Sequence, residues 1–219
     1  GEVALCGHAT VSAFTVLRNE KNLAPGAYFA DTLAGRLNVR LEKELVWLET
    51  ARGQLIRYLN EQECRDLYGA YGLSRQDCPP DLQPCIVSTG LPDVLLPVGD
   101  KNALENAVQN RDEIVRVSKR LSVVGVHMFY YCDSPQATAY CRNFAPLYGI
   151  DEESATGTSN ASLTYYLGQA GLIEADRRNV FVQGARMGKP SVIFSRIASE
   201  GTISIGGNAV VSIKGCFNF

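Results

Sequence analysis

Thr156-Gly157-Thr158-Ser159-Asn160-Ala161-Ser162-Leu163-Thr164-Tyr165-Tyr166-Leu167 has the length of a helix and contains no Lys, Arg, Asp or Glu. Cys6-Gly7-His8-Ala9-Thr10-Val11-Ser12-Ala13-Phe14-Thr15-Val16-Leu17 shares both properties. A surface helix carries a charged face, so a helix with none is expected to be enclosed on all sides. The two segments therefore predict central helices at about 7–19 and 157–171, and in a chain rich in strands the enclosing layer is a curved sheet. Aligned with each other they share only Gly7/Gly157, Ser12/Ser162 and Leu17/Leu167, which is weak evidence for a repeat as sequence alone. Their physical character agrees better. Gly and small hydroxyl residues at each start leave backbone N–H groups open, and an open helix N-terminus with its positive dipole end suits an anion. Two such starts facing one another across a cleft would grip a carboxylate. The competing reading is that Thr156, Thr158 and Ser159 are ordinary N-caps. Asn160-Ala161-Ser162 also fits a glycosylation acceptor, but it falls inside the buried helix and is set aside.

Outward from the first segment, Arg36 to Glu42 alternates polar and apolar, Leu45-Val46-Trp47-Leu48 is a core run, and Ala51-Arg52-Gly53-Gln54 turns into Leu55-Ile56-Arg57-Tyr58. This predicts an antiparallel meander over 26–59. Asn60 with Glu63 forms a capping pair that opens a helix running to about Tyr71, and Asp77-Cys78-Pro79-Pro80-Asp81 breaks regular structure. The boundary is placed there, giving an N-terminal domain at 1–75 and a C-terminal domain at 76–219. The second predicts strands at 85–88, 123–131, 180–183, 191–196 and 202–213, and helices at 101–109 and 112–120. Gly206-Gly207 marks a bulge or a close approach within the last strand.

The chain has 219 residues, 46% of them apolar, which suffices for a sizeable core. Lys plus Arg number 21 and Asp plus Glu 23, so the chain offers no electrostatic footprint for nucleic acid or an anionic membrane surface. Its uncharged stretches are studded with His, Ser, Thr, Asn and Gly, unlike a membrane span. Seven cysteines, an odd count without a CxxC pair, favour reduced thiols in a cytoplasmic compartment and argue against structural zinc. Gly1 stands where an initiating Met would, and Glu2 leads straight into apolar sequence, so the chain is expected to begin in mid-domain with an N-terminal part missing.

Leu5-Cys6-Gly7-His8-Ala9-Thr10, Arg142-Asn143-Phe144-Ala145-Pro146, Gly149-Ile150-Asp151-Glu152-Glu153-Ser154-Ala155-Thr156-Gly157-Thr158 and Gly206-Gly207-Asn208-Ala209-Val210 resemble successive signatures of the phenazine-biosynthesis PhzF-like proteins. The resemblance covers essentially the whole chain. It implies the diaminopimelate epimerase-like fold: two pseudo-symmetric α/β domains, each a curved mixed sheet wrapped around a central helix, with the active site in the cleft between them. It also implies a cofactor-independent, metal-free isomerase that moves a proton and a double bond in a small cyclic carboxylic acid, the known case being trans-2,3-dihydro-3-hydroxyanthranilate. A cytoplasmic homodimer is the implied state. By the same resemblance His8 falls on an active-site His, Glu153 on an active-site Asp, Thr158 on an active-site Ser, and Gly7 and Gly157 on glycines that bring backbone N–H groups to the substrate. Thr156 and Ser159 flank Gly157 and Thr158 and join the substrate-binding set. Glu for Asp and Thr for Ser change the reach of two groups, and a displacement of about 1 Å can cost about 100-fold in rate, which leaves room for a different substrate. The family's principal acid/base Glu lies in a Ser-Glu-Thr-like segment upstream of the His motif. Gly1 falls after that segment, and Glu2 is not its equivalent.

Proton transfer beside a carboxylate needs a base, a group to return the proton, and donors for the developing charge. His8 can serve either half of the transfer at neutral pH, or be structural. His127, inside an apolar strand pattern, reads as structural. Glu152 and Glu153 should point to opposite sides, one into the cleft, although an acidic pair before a helix can simply complement its dipole. Arg142 could hold a carboxylate bidentately or form an ordinary ion pair. Cys6 occupies the position of one of the two thiols of diaminopimelate epimerases, but Thr156 stands at the other. A hydroxyl is far too weak an acid to replace a thiol of pKa about 8.5, which disfavours an epimerase or racemase. Cys6 otherwise reads as a buried small residue. The alternative from a different class is a catalytically incomplete ligand-binding or interaction protein on the same fold.

Overall fold

The computed structural model describes residues 6–33 and 35–215, so Glu2 and Cys216 lie outside the described residues. The order is α1 (Gly7–Lys21), β1 (Gly26–Thr32), β2 (Gly35–Leu41), β3 (Val46–Glu49), β4 (Gln54–Tyr58), α2 (Glu61–Gly69), β5 (Cys85–Ser88) and β6 (Pro92–Pro97). There follow α3 (Lys101–Asn106), α4 (Arg111–Leu121), β7 (Val126–Tyr131), β8 (Ala139–Ala145), β9 (Ile150–Glu153), α5 (Gly157–Gln169), β10 (Asn179–Gln183), β11 (Ser191–Ile197) and β12 (Ile203–Gly207). The strands form one mixed sheet in the order β1-β2-β3-β12-β11-β10-β8-β7-β6-β5-β4, with β9 paired to β8. β10/β8 and β6/β7 are parallel and the other pairs antiparallel.

Period-2 alternation in β6, β7 and β8 sends Val94, Leu96, Val126, Met128 and Phe144 to one face, where they pack with Leu67, Leu104 and Ile114 of α2, α3 and α4 and with Tyr71 in the turn after α2. The intervening Leu95, Phe129, Ala139 and Cys141 meet Ala161, Leu163 and Leu167 of α5 on the other. The result is a sheet with helices on both faces. A smaller core joins Phe14 of α1 to Val39, Leu41, Val46 and Leu48. Asn60 and Glu63 form the expected reciprocal capping box of α2, both bonds 2.9 Å.

α5 is enclosed as its uncharged sequence predicts: it packs against β4, β5, β6, β11 and β12, and Leu163, Leu167, Asn160 and Ser162 are all 0% exposed. α1 departs from the same expectation. Only Phe14 and Thr15 are buried on it, and Val16 and Leu17 are about two-fifths exposed. The physical reason is that α1 meets strands β1 to β3 along one face, with no sheet curled around its other sides among the described residues. β4 pairs with β5, and Cys64, Leu67 and Tyr68 of α2 belong to the larger core, whereas Val39, Leu41, Val46 and Leu48 belong to the smaller one.

Strands β6, β8 and β9 were not expected. β6 carries Pro at both ends and Asp93 inside, and β8 and β9 carry charge, which hid their periodicity. The strand expected to run from 202 to 213 stops at Gly207. Gly206 makes the anticipated close approach: a Cβ there would lie 2.7 Å from the ring of Trp47, which Arg196 covers from 3.5 Å. Among the described residues no helix is long and apolar enough to cross a membrane.

Candidate active site

The starts of α1 and α5 are set by the same local geometry. Cys6 caps α1 with φ −136°, ψ 101°, and Thr156 caps α5 with φ −135°, ψ 103°. Neither makes a side-chain cap, so the first-turn N–H groups of both helices are free of the partner that Ser, Thr, Asp or Asn normally supplies. Thr156 thus stands at the N-cap position with its hydroxyl turned to Glu153, and Thr158 and Ser159 lie inside the helix, so none of the three supplies a side-chain cap.

Where the two starts lie follows from their glycines. The Cβ direction of Gly7 meets Leu48 at 3.8 Å, and that of Gly157 meets Ile205 at 3.7 Å. Leu48 and Ile205 are directly paired partners across β3 and β12, and opposed residues of an antiparallel pair point to one face. The two helix starts thus sit on adjacent residues of the same seam, with His8 and Thr158 one residue further into each helix. Asn208, just past the seam, accepts from Arg18 of α1 at 2.9 Å. A Cβ at either glycine would make only ordinary van der Waals contact with its strand residue, so these contacts locate the two helix starts without any clash that demands glycine there.

The α5 start rests on a buried polar bed. Thr156 Oγ1 donates to Glu153 at 2.6 Å and accepts from Gln183 Nε2 at 3.0 Å. Asn160 Nδ2 reaches the Thr156 carbonyl at 2.8 Å and Gln183 Oε1 at 2.9 Å. Ser159 Oγ donates to Asp93 at 2.6 Å, and Thr89 Oγ1 donates to the Thr158 carbonyl at 3.0 Å. Burial pushes the Asp93 carboxyl up to about 6; bonds from Ser159 and the Gly125 N–H oppose the rise, and the nearby Glu153 adds to it. Burial pushes the imidazole of His127 down to about 4, so it is neutral in the fold and bonded through Nδ1 to Asn143 Oδ1 at 3.0 Å, in line with a structural role.

The acidic pair divides as alternation requires. Glu153, opposite Asn143 in the β8/β9 ladder, faces α5, whereas Glu152 receives Arg142 on the other side through two bonds of 2.9 Å. Arg142 also donates to the carbonyls of Leu104 and Ala107 at the end of α3, at 2.9 and 2.8 Å. Four of its five N–H donors are engaged there and the side chain is buried, so the structure shows the ordinary ion pair in place of the expected substrate contact. The hydroxyl of Ser159 is likewise committed to Asp93 and 1% exposed, which leaves only its backbone N–H for a ligand. Cys6 is exposed, not buried as anticipated. His8 and Gly7 are exposed, and Glu153, Thr156, Gly157 and Thr158 half-buried. A groove of about 530 Å³ lined by Tyr28, Trp47, Glu49, Arg196 and Ser204 lies on the opposite face of the seam, since Trp47 and Ser204 alternate with Leu48 and Ile205.

Asp93 and Gln183 escaped the reading of the sequence. Asp93 could have been flagged as a lone carboxyl ahead of Val94-Leu95-Leu96, and Gln183 carries no comparable signal.

The chain is similar to known proteins along most of its length. It is 32% identical to an uncharacterized isomerase of Deinococcus radiodurans over 98% of its own length and 73% of that protein's. It is also 32% identical to the trans-2,3-dihydro-3-hydroxyanthranilate isomerase of Pseudomonas chlororaphis, over 34% of this chain and 28% of that one. A crystal structure of a Bacillus anthracis phenazine biosynthesis protein of the PhzF family superimposes with a TM-score of 0.81 at 21% identity, covering 94% of this chain and 73% of that one. The family model for phenazine biosynthesis-like proteins matches residues 1–215, and the chain belongs to that family.

Proposed function

We propose that the protein is an isomerase that shifts a proton and a double bond within a small cyclic carboxylic acid, using its own side chains without a cofactor. The observation that carries this reading is the placement of two uncapped helix starts on the paired residues Leu48 and Ile205. Two positive dipole ends over one seam provide electrostatic stabilisation for a carboxylate and for the enolate-like charge that develops when a neighbouring C–H is deprotonated. His8 and Glu153 are the acid/base groups in this reading. Thr156 orients the Glu153 carboxyl through their 2.6 Å bond, and Gln183 fixes Thr156 in turn. Thr158 offers a hydroxyl at the α5 start, and the N–H groups of Gly7, Gly157 and Ser159 face the bound anion. An epimerase reading gains no support, because the hydroxyl of Thr156, at the position equivalent to Cys6, is held between Glu153 and Gln183. A homodimer acting on a small-molecule substrate completes the proposal.

The test is deuterium incorporation from solvent into trans-2,3-dihydro-3-hydroxyanthranilate and related cyclohexadiene acids, followed by mass spectrometry on the full-length protein. His8→Ala is expected to lower the exchange rate by about 10²- to 10⁴-fold, the usual contribution of a positioned acid or base. Absence of exchange across the whole panel, or an unchanged rate in the variant, would overturn the assignment.

A further inference from the structure

Thr156 and Ser159 stand three residues apart on the first turn of α5, and side chains at that spacing are neighbours, about 5–6 Å between Cβ atoms. Each donates its hydroxyl to a carboxyl at 2.6 Å: Thr156 to Glu153 and Ser159 to Asp93. One helical turn is thus bracketed by two acids reached from different strands. Their surroundings differ. Glu153 is half-buried at the end of β9, and Asp93, on β6, is 3% exposed. The pocket for Asp93 is tightly built, since the adjoining Gly125 leaves no room for a side chain: a Cβ there would lie 2.3 Å from the Phe144 carbonyl oxygen.

We propose that Asp93 is a positioning residue of this site, coupled to Glu153 across the first turn of α5, so that its ionisation sets how much negative charge lies beneath the α5 start. The proposal rests on the isomerase reading only for its consequence, that ionised Asp93 weakens the hold on a substrate carboxylate. The groups facing Asp93 are Ser159 of α5, the Gly125 N–H ahead of β7, and Glu153 of β9. His127 on β7 is neutral, and Arg142 with Glu152 lies beyond the sheet. An acid buried beside a like charge keeps its proton to higher pH, and Asp93 is raised to about 6 for these two reasons, burial being the larger.

The experiment has two arms. In the first, the protein is labelled with [4-¹³C]aspartate and the carboxyl signal of Asp93, assigned by its loss in Asp93→Asn, is titrated by NMR in the wild type and in Glu153→Gln. The midpoint is expected near pH 6 in the wild type and several tenths of a pH unit lower in Glu153→Gln, and an unchanged midpoint overturns the coupling. In the second, KM and kcat for trans-2,3-dihydro-3-hydroxyanthranilate, or for whichever panel acid exchanges, are compared between wild type and Asp93→Asn. The asparagine still accepts from Ser159, so a purely structural role leaves the two profiles parallel, and parallel profiles overturn the positioning role. The expected result is a KM ratio, wild type to variant, that rises about 3- to 10-fold between pH 5 and 7.5 with little change in the kcat ratio. Failure of the isomerase reading itself is separable: no acid exchanges, while the titration arm still decides the coupling.

Discussion

Helices α1 and α5 begin with backbone dihedrals that agree within 2° at Cys6 and Thr156, rest on paired residues, and carry no charge through their first turns. Their surroundings then diverge. α5 is wrapped by five strands and set on a bed of Asp93, Thr89 and Gln183, whereas α1 touches β1 to β3 along one face and exposes Val16 and Leu17. The comparison teaches that the backbone geometry of each helix start is set locally, and that enclosure is set by how many strands surround the helix. An uncharged helix predicts the first well and the second only when enough strands are available to surround it.

The largest expected difference is in packing. Leu163→Ala in α5 should destabilise by about 2–5 kcal/mol, as buried leucine truncations do, and Leu17→Ala in α1 by about 0.5 kcal/mol or less. Urea denaturation at fixed pH measures both, and equal costs would break the contrast.

A second contrast concerns acid. His127, held down at about 4, contributes stability that is fully present above its unfolded value of 6.5 and is lost as pH falls toward 4. Asp93, raised to about 6, acts the other way, contributing stability at low pH that is lost as pH rises from its unfolded value near 3.8 through 6. Between pH 4 and 6 the two oppose each other. Asp93→Asn removes one of them, so its stability should fall on acidification by about 1.4 kcal/mol per pH unit more than that of the wild type within that window. Chemical denaturation at half-unit pH intervals would show it, and parallel curves would mean the α5 bed is electrostatically inert.

The smallest difference sharpens the comparison of the two caps. Thr156→Ala loses its bonds to Glu153 and Gln183 and should cost about 1–2 kcal/mol, against about 0.5 kcal/mol or less for Cys6→Ala. Thermal midpoints of the two variants measured side by side would test the order.

Much of this arrangement can be read from the residues. The enclosure of α5 follows from its lack of charge, the capping box of α2 from Asn60 and Glu63, and the division of Glu152 from Glu153 from simple alternation. What could not be read has definable causes. β6 was masked by its terminal prolines and by Asp93, so the carboxyl it delivers beneath α5 was masked with it. Arg142 looked equally suited to a substrate or to a neighbour, because the difference lay in the carbonyls that α3 brings to it from 35 and 38 residues away. The convergence of Gly7 and Gly157 depends on the β3/β12 register, a long-range pairing that neither local sequence encodes.

That pairing has a mechanical consequence. Among the described residues, Val46 to Glu49 against Ser204 to Gly207 is the single ladder that ties the three-stranded portion to the remaining strands. Any change in the spacing of the two helix tips must be absorbed as twist in this short flexure. The indole that abuts Gly206 is covered by Arg196, which also holds Glu42 at 2.6 Å, so side-chain contacts brace this flexure on the groove side.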